Sequence, residues 1–311
     1  MDKPFVYDNY VTGKCFVGRK TDCNILGNLL EAGENVVMYE PPKSGKMSVI
    51  QQTLFNLRAK GKQFMVIHIN MLSVRTVEDF LVKYGTSIIR PLYSTADEYA
   101  RVVSEYLPET HFVFDRALFA THGEVVSLNW TPDMNDVAQM LRLPQRIAQE
   151  QGKSYYVILE DFHNLLRMDE CEEVFKEMNR LFSERDYSNQ VSSSYLMIGS
   201  HVNAMKLIFE EKKYFYRQVE GVPVSPVDER DIIDYIVKGF MVSGKVMDKN
   251  LVLGANVETI SADAFSGCSS LAAIELPASL KNFDPKAFSG CMSLATITVN
   301  AGNTSYKAIE N

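Results

Sequence analysis

The sequence predicts an α/β protein: a three-layer unit built on a mostly parallel sheet, followed by a short solenoid tail. Three observations predict it. Short apolar runs alternate with amphipathic segments over about the first 250 residues. A turn containing Lys-Ser-Gly-Lys stands between the first such run and the segment after it. From residue 251 the composition changes and a 23-residue period takes over.

The strand candidates are Asn35–Tyr39, Gln63–Ile69, Tyr155–Leu159 and Tyr195–Ile198. Each is short, apolar on both faces and rich in Val, Ile or Tyr, as strands covered on both sides by helices are. The helix candidates are Asp22–Glu31, Lys46–Lys60, Thr76–Arg90 and Cys171–Ser183. Their alternation with the strands implies βαβ units. Residues 91–135 interrupt the pattern with Tyr93, Tyr99, Tyr106, Phe112, Phe114, Phe119 and Trp130, and read as an insertion packed on the sheet edge.

In the tail, Ala264-Phe265-Ser266-Gly267-Cys268 recurs as Ala287-Phe288-Ser289-Gly290-Cys291. Leu271, Ile274 and Leu276 recur as Leu294, Ile297 and Val299, and Val257 and Ile260 as Leu280 and Phe283. Such a unit cannot bury its own apolar face, so neighbours must stack. Cys268 and Cys291 are expected to be small buried core residues. The expected division is 1–250 and 251–311, with about two repeats where roughly three make a solenoid stable. The tail is therefore expected to be truncated or to lean on the first domain.

Bulk properties exclude several classes. With 311 residues, 46% of them hydrophobic, the chain can form about two packed domains. A net charge of −7 with no basic tract argues against nucleic acid and anionic membranes as partners. No stretch reaches the roughly 18 apolar residues of a membrane span. Met1-Asp2-Lys3-Pro4-Phe5 lacks the regions of a signal peptide, which counts against a secreted adhesin. The five cysteines form no C-x-x-C pair, so a reducing, cytoplasmic setting is expected. No two histidines have metal-ligand spacing, and there is no G-x-S-x-G nucleophile elbow.

The chemistry concentrates in three places. Glu40-Pro41-Pro42-Lys43-Ser44-Gly45-Lys46-Met47-Ser48 follows one predicted strand and opens a predicted helix. In that context backbone N–H groups and the helix N-terminus form an anion cradle, Gly45 lets phosphate approach the backbone, and Lys46 reaches the β- and γ-phosphates. Two positions depart from the usual motif: Glu40 replaces its first glycine, and Met47 the hydroxyl residue that holds magnesium. Ser48 stands one residue late, about 100° around the helix, and a thioether is a poor ligand for a hard cation. The second place is Tyr155–Phe162, an apolar strand ending in Glu160 and Asp161. By position Glu160 takes the metal role and Asp161 the base that orients or deprotonates water. The third is the strand ending at Gly199-Ser200-His201, where Ser200 is placed to sense a γ-phosphate. His163 reads as a helix-start histidine beside this site.

Phe16-Val17-Gly18-Arg19, the loop, Leu159-Glu160-Asp161-Phe162, the run from Ile198 to Glu210 and the segment from Tyr214 to Phe240 together resemble the archaeal-type P-loop ATPases, near the signal-transducing STAND branch of the AAA+ lineage. The resemblance covers about residues 4–247. It implies a three-layer P-loop NTPase that binds ATP with Mg2+, with Pro42 to Ser48 around the phosphates and Val17, Gly18 and Arg19 near the adenine. It also implies a phosphate-proximal arginine at Arg217, and a helical lid that this chain lacks. The tail resembles the bacterial surface-antigen (BspA-like) leucine-rich repeats. The expected function is an ATP-binding switch with weak or conditional hydrolysis that engages a protein partner through the repeats. A non-hydrolysing nucleotide-binding scaffold is the alternative, and a homo-oligomer stays open.

Overall fold

The computed structural model describes residues 9–184, 191–228, 230–232, 235, 250–252, 256–269 and 271–306. They fall into two compact units, one within Tyr7–Val227 and one within Asp228–Asn311. The predicted junction, Met247–Gly254, lies outside the described residues apart from Asn250–Val252. So do the N-terminal residues 1–8 and, of the segment predicted to run to Phe240, residues 229, 233, 234 and 236–240.

The first unit runs α1 (Lys20–Glu31), β1 (Val36–Tyr39), α2 (Lys46–Ala59), β2 (Phe64–Asn70), α3 (Val77–Ile89), α4 (Ala96–Tyr106), β3 (Phe112–Val113), α5 (Arg116–His122), β4 (Ser127–Leu128), α6 (Met134–Gln151), β5 (Ser154–Glu160), α7 (Cys171–Ser183), β6 (Ser193–Gly199), α8 (Val202–Lys206) and β7 (Glu220–Gly221). Five strands form one sheet in the order β2-β5-β6-β1-β7, every pair parallel. All four predicted strands are in it, and β7 adds an edge.

The two-faced burial follows from the period of two along a strand. Val36 and Met38 pack in one core with Leu26, Leu30, Ile50 and Leu54 of α1 and α2, whereas Val37 packs in the other. In the same way Tyr156 and Ile158 face α1 and α2, while Tyr155, Val157 and Leu159 join Phe80, Tyr84, Met140 and Phe175 of α3, α6 and α7. Buried Asn35 ties three segments before β1 begins: its Oδ1 accepts from Tyr195 N–H at 3.0 Å and its Nδ2 donates to Gln218 O at 3.3 Å.

The aromatic stretch 91–135 is ordered. Thr95 caps α4 reciprocally with Glu98, and β3 and β4 pair antiparallel. Tyr99, Phe114 and Phe119 form a ring cluster, while Trp130 is 74% exposed. Among the described residues no helix is long and apolar enough to cross a membrane.

In the second unit β8 (Asn250–Val252), β10 (Ala273–Leu276) and β12 (Thr296–Val299) form one parallel sheet, and β9 (Thr259–Ile260) pairs in parallel with β11 (Asn282–Phe283). Ala273 aligns with Thr296 and Thr259 with Asn282, so the sequence period becomes the stacking register. Phe265 stacks on Phe288 with centroids 5.2 Å apart. Ile260, Ile274, Leu276, Leu280 and Ala287 are the buried core. One expectation is corrected. Cys268 and Cys291 are half-buried, and the Cys291 thiol donates to Phe265 O at 2.9 Å. Ile297, in the repeat position of buried Ile274, is 42% exposed.

Candidate functional site

The site is built at the carboxyl ends of β1, β5 and β6, where open parallel sheets place their ligands. The loop of residues 40–45 leaves β1 and enters α2 at Lys46. Lys43 (φ 64°) and Gly45 (φ 93°) are both left-handed. Only glycine suits the second position: a Cβ there would overlap the Arg19 guanidinium. Among the described residues the backbone N–H groups of Gly45, Lys46, Met47 and Ser48 have no acceptor. Four unpaired donors converging on a helix start are a nest for an anion.

Lys46 lies within the loop, 6% exposed. Its Nζ donates to Glu40 O at 2.6 Å, Pro41 O at 2.9 Å and Ser44 Oγ at 3.3 Å. Burial lowers its pKa, with Glu40, Asp161 and Glu160 pulling the other way. The carbonyls of the loop are thus held by the protein's own cations. Arg19 completes the set, donating from Nη1 to Ser44 O at 2.7 Å and from Nε to Ser225 O at 2.6 Å. Beside it, buried Asp22 accepts from Ser225 N–H and Oγ, both at 2.8 Å.

Glu160 ends β5 and Asp161 follows in the left-handed region at φ 55°. Phe162 anchors this turn in the core against Phe175, Phe209 and Phe215. Glu160 Oε2 pairs with His68 Nε2 at 2.9 Å and accepts from Asn70 Nδ2 at 3.2 Å. The His68 hydrogen bond leads in holding the Glu160 carboxyl below its ordinary range, against burial. Its other oxygen, and both oxygens of Asp161, have no protein partner among the described residues.

Ser200 follows β6 in a bend, and Gly199 before it lies against Met205. His163 and His201 stack with centroids 4.6 Å apart. His163 Nδ1 is buried without a partner, and burial lowers the pKa of that ring. The Met47 side chain packs on the core shared by α1 and α2, so only its N–H faces the nest. Ser48 Oγ accepts from Val11 N–H at 3.1 Å, which leaves its own proton and a lone pair.

One cleft of about 630 Å³ gathers Lys43, Gly45, Lys46, Met47, Ser48, Glu160, Asp161 and Ser200, together with Asn9, Tyr10 and Ile198. Of the sequence candidates, Pro42 and Ser44 shape the loop without lining this cleft. Arg19 braces the loop from behind. Val17 and Gly18 are not among the lining residues; Gly18 and Arg19 are left-handed and lead into α1. Arg217 is exposed and stacks 5.2 Å over the Tyr216 ring, apart from the cleft. Asn9, Tyr10, His68, Asn70, Asp22 and Ser225 are additions the sequence did not point to. None of them belongs to a local motif.

The sheet order, the nest and the strand-end acids define the class: residues 9–227 carry the P-loop NTPase fold. Among solved structures the chain resembles the Walker-type ATPase of Pyrococcus abyssi, with a TM-score of 0.50 and 14% identity, over 78% of this chain and 63% of that one. It also resembles the ORC2 protein of Aeropyrum pernix in its ADPNP–ADP complexes, with a TM-score of 0.48 and 13% identity over 78% and 56%. The ORC1 protein of the same organism, solved in complex with DNA, gives 0.43 and 14% over 74% and 51%. The chain thus spans less than two thirds of each of these proteins. Residues 244–310 match the family model described as BspA type leucine rich repeat region. No curated protein matches the chain.

Proposed function

We propose that residues 9–227 bind ATP with Mg2+ and that the bound nucleotide sets the state of a molecular switch with slow or conditional hydrolysis. The observation that carries this reading is the set of four unpaired amides beside the Lys46 ammonium, facing Glu160 and Asp161 across one cleft. A triphosphate supplies the acceptors those donors lack.

The acids fit a hard cation. Asp161 and the free oxygen of Glu160 are carboxylate donors near the nest, and Ser48 keeps a lone pair for the same ion. Bound Mg2+ would neutralise phosphate charge. Lys46 and the amides orient the triphosphate, Asp161 takes the water proton, and Ser200 stands at the phosphate end. Net charge of −7 speaks for a protein rather than a nucleic acid as the partner, reached through the repeats of 251–311, in a cytoplasmic setting. The STAND-like subtype of the AAA+ lineage fits a switch of this kind.

Isothermal calorimetry with ATP and ADP in magnesium buffer tests the reading. Micromolar binding that Lys46→Ala removes is expected. No heat with either nucleotide would end it. A second reading, a non-hydrolysing scaffold, is favoured by the Met47 side chain being packed away where a hydroxyl normally meets the metal. Phosphate release decides between the two: turnover abolished by Asp161→Asn selects the enzyme, and its absence in the wild type selects the scaffold.

A further inference from the structure

The phosphate end of the cleft is fully explained by the loop, Lys46 and the acids. The rest of the lining is not. Among its residues only one carries an aromatic ring, Tyr10, and that ring is 51% exposed. Among the described residues its hydroxyl has no partner and no other ring covers it. Other large apolar side chains of this chain are exposed too, Trp130 and Tyr216 among them, but Tyr10 differs in lining the same cleft as the nest, where its open face can meet a planar group of the ligand.

The backbone around Tyr10 is fixed. Val11 N–H donates to Ser48 Oγ at 3.1 Å, and Gly13 N–H donates to Gln52 Oε1 at 2.6 Å. Tyr10 N–H donates to Asn9 Oδ1 at 2.8 Å. The strap is thus pinned to the first two turns of α2, the helix whose N-terminus forms the nest. The ring is held on the same rigid element as the phosphate donors.

We infer that Tyr10 is the stacking platform for the nucleobase, with the adenine lying on its ring while the triphosphate sits in the nest. The inference rests on the nucleotide reading above. Stacking on an aromatic face needs no particular base, because every base has a π-face. Tyr10 therefore supplies affinity for the nucleoside. The Asn9 amide beside it, whose Nδ2 remains free to donate, is the polar group next to the base edge.

The test separates base from phosphate by using two ligands, ATP and inorganic tripolyphosphate, each with magnesium. Tyr10→Ala is expected to weaken ATP about 5- to 150-fold, the range that loss of one stacked aromatic produces. Tripolyphosphate affinity stays unchanged, and Tyr10→Phe binds ATP as the wild type does. In a Trp130→Phe background, Tyr10→Trp gives one tryptophan, whose fluorescence ATP quenches and tripolyphosphate does not. Equal weakening of both ligands by Tyr10→Ala overturns the inference, since Tyr10 would then support the loop. Unchanged ATP binding in Tyr10→Ala overturns it too. If the wild type binds tripolyphosphate and ATP equally well, the base has no platform and only the phosphate nest survives. If it binds neither, the nucleotide reading itself fails.

Discussion

Replacing Lys46 with Met keeps the buried stem and removes the ammonium. Two effects on stability then oppose each other. Glu40 O and Pro41 O lose their donor, and an unsatisfied buried acceptor costs about 1–3 kcal/mol. The desolvation of a charge at 6% exposure is relieved at the same time. The net change is about 1 kcal/mol, or roughly 2–4 °C in Tm for a domain of this size. Binding has no such compensation. A hydrogen bond to a charged group is worth about 1.5–3 kcal/mol, and because Lys46 must give up loop carbonyls to reach phosphate, one such bond is a fair net loss. That predicts ATP affinity lowered about 10- to 150-fold. Calorimetry and a thermal scan on the same preparation measure both. A variant that binds ATP as the wild type does would refute the role given to Lys46. A fall in Tm beyond about 10 °C would instead make Lys46 a structural brace.

Arg19→Ala removes the donor to Ser44 O and Ser225 O and is expected to cost about 1–3 kcal/mol in denaturant unfolding while weakening ATP several-fold; unchanged nucleotide affinity would show that the loop holds its shape alone. His111 has its pKa raised by the hydrogen bond to Asp136, so its contribution is complete below the ordinary histidine value of about 6.5 and is lost as pH rises through the raised value. The Tm difference between wild type and His111→Asn should therefore be largest near pH 5.5 and shrink by pH 8.5; a difference that grows with pH has the wrong sign. Leu280→Ala opens a cavity in the small repeat core and should cost about 2–5 kcal/mol, read as lost amide-exchange protection over residues 256–306; protection within error of the wild type would mean that this core does not hold the repeats.

The central strands were legible because burial on both faces leaves an unbroken apolar run, and β1, β5 and β6 have it. Helix α6 is the longest of the first unit, yet the sequence reading assigns it no element. Pro144 stands inside it, and its apolar residues are spread among Arg142, Gln145 and Arg146. β7 has two residues, too few for any period to register. The loop and the strand-end acids are local motifs and could be read directly. The pairing of His68 with Glu160 spans 92 positions and reaches across adjacent strands, a fact fixed by sheet register alone. Tyr10 was hidden for another reason: its meaning lies in being exposed, which a sequence does not record. The cysteines of the repeat show the converse. Their place in an apolar repeat led to an expectation of burial, yet both are half-buried.

Arg19 joins Ser44 to Ser225, residues separated by most of the first unit's length. A polypeptide ending ahead of Ser225 contains every letter of the phosphate motif and still lacks its brace. During synthesis the motif emerges early, and Ser225 emerges about 180 residues later, so the brace from Arg19 is complete only once nearly the whole first unit has been made.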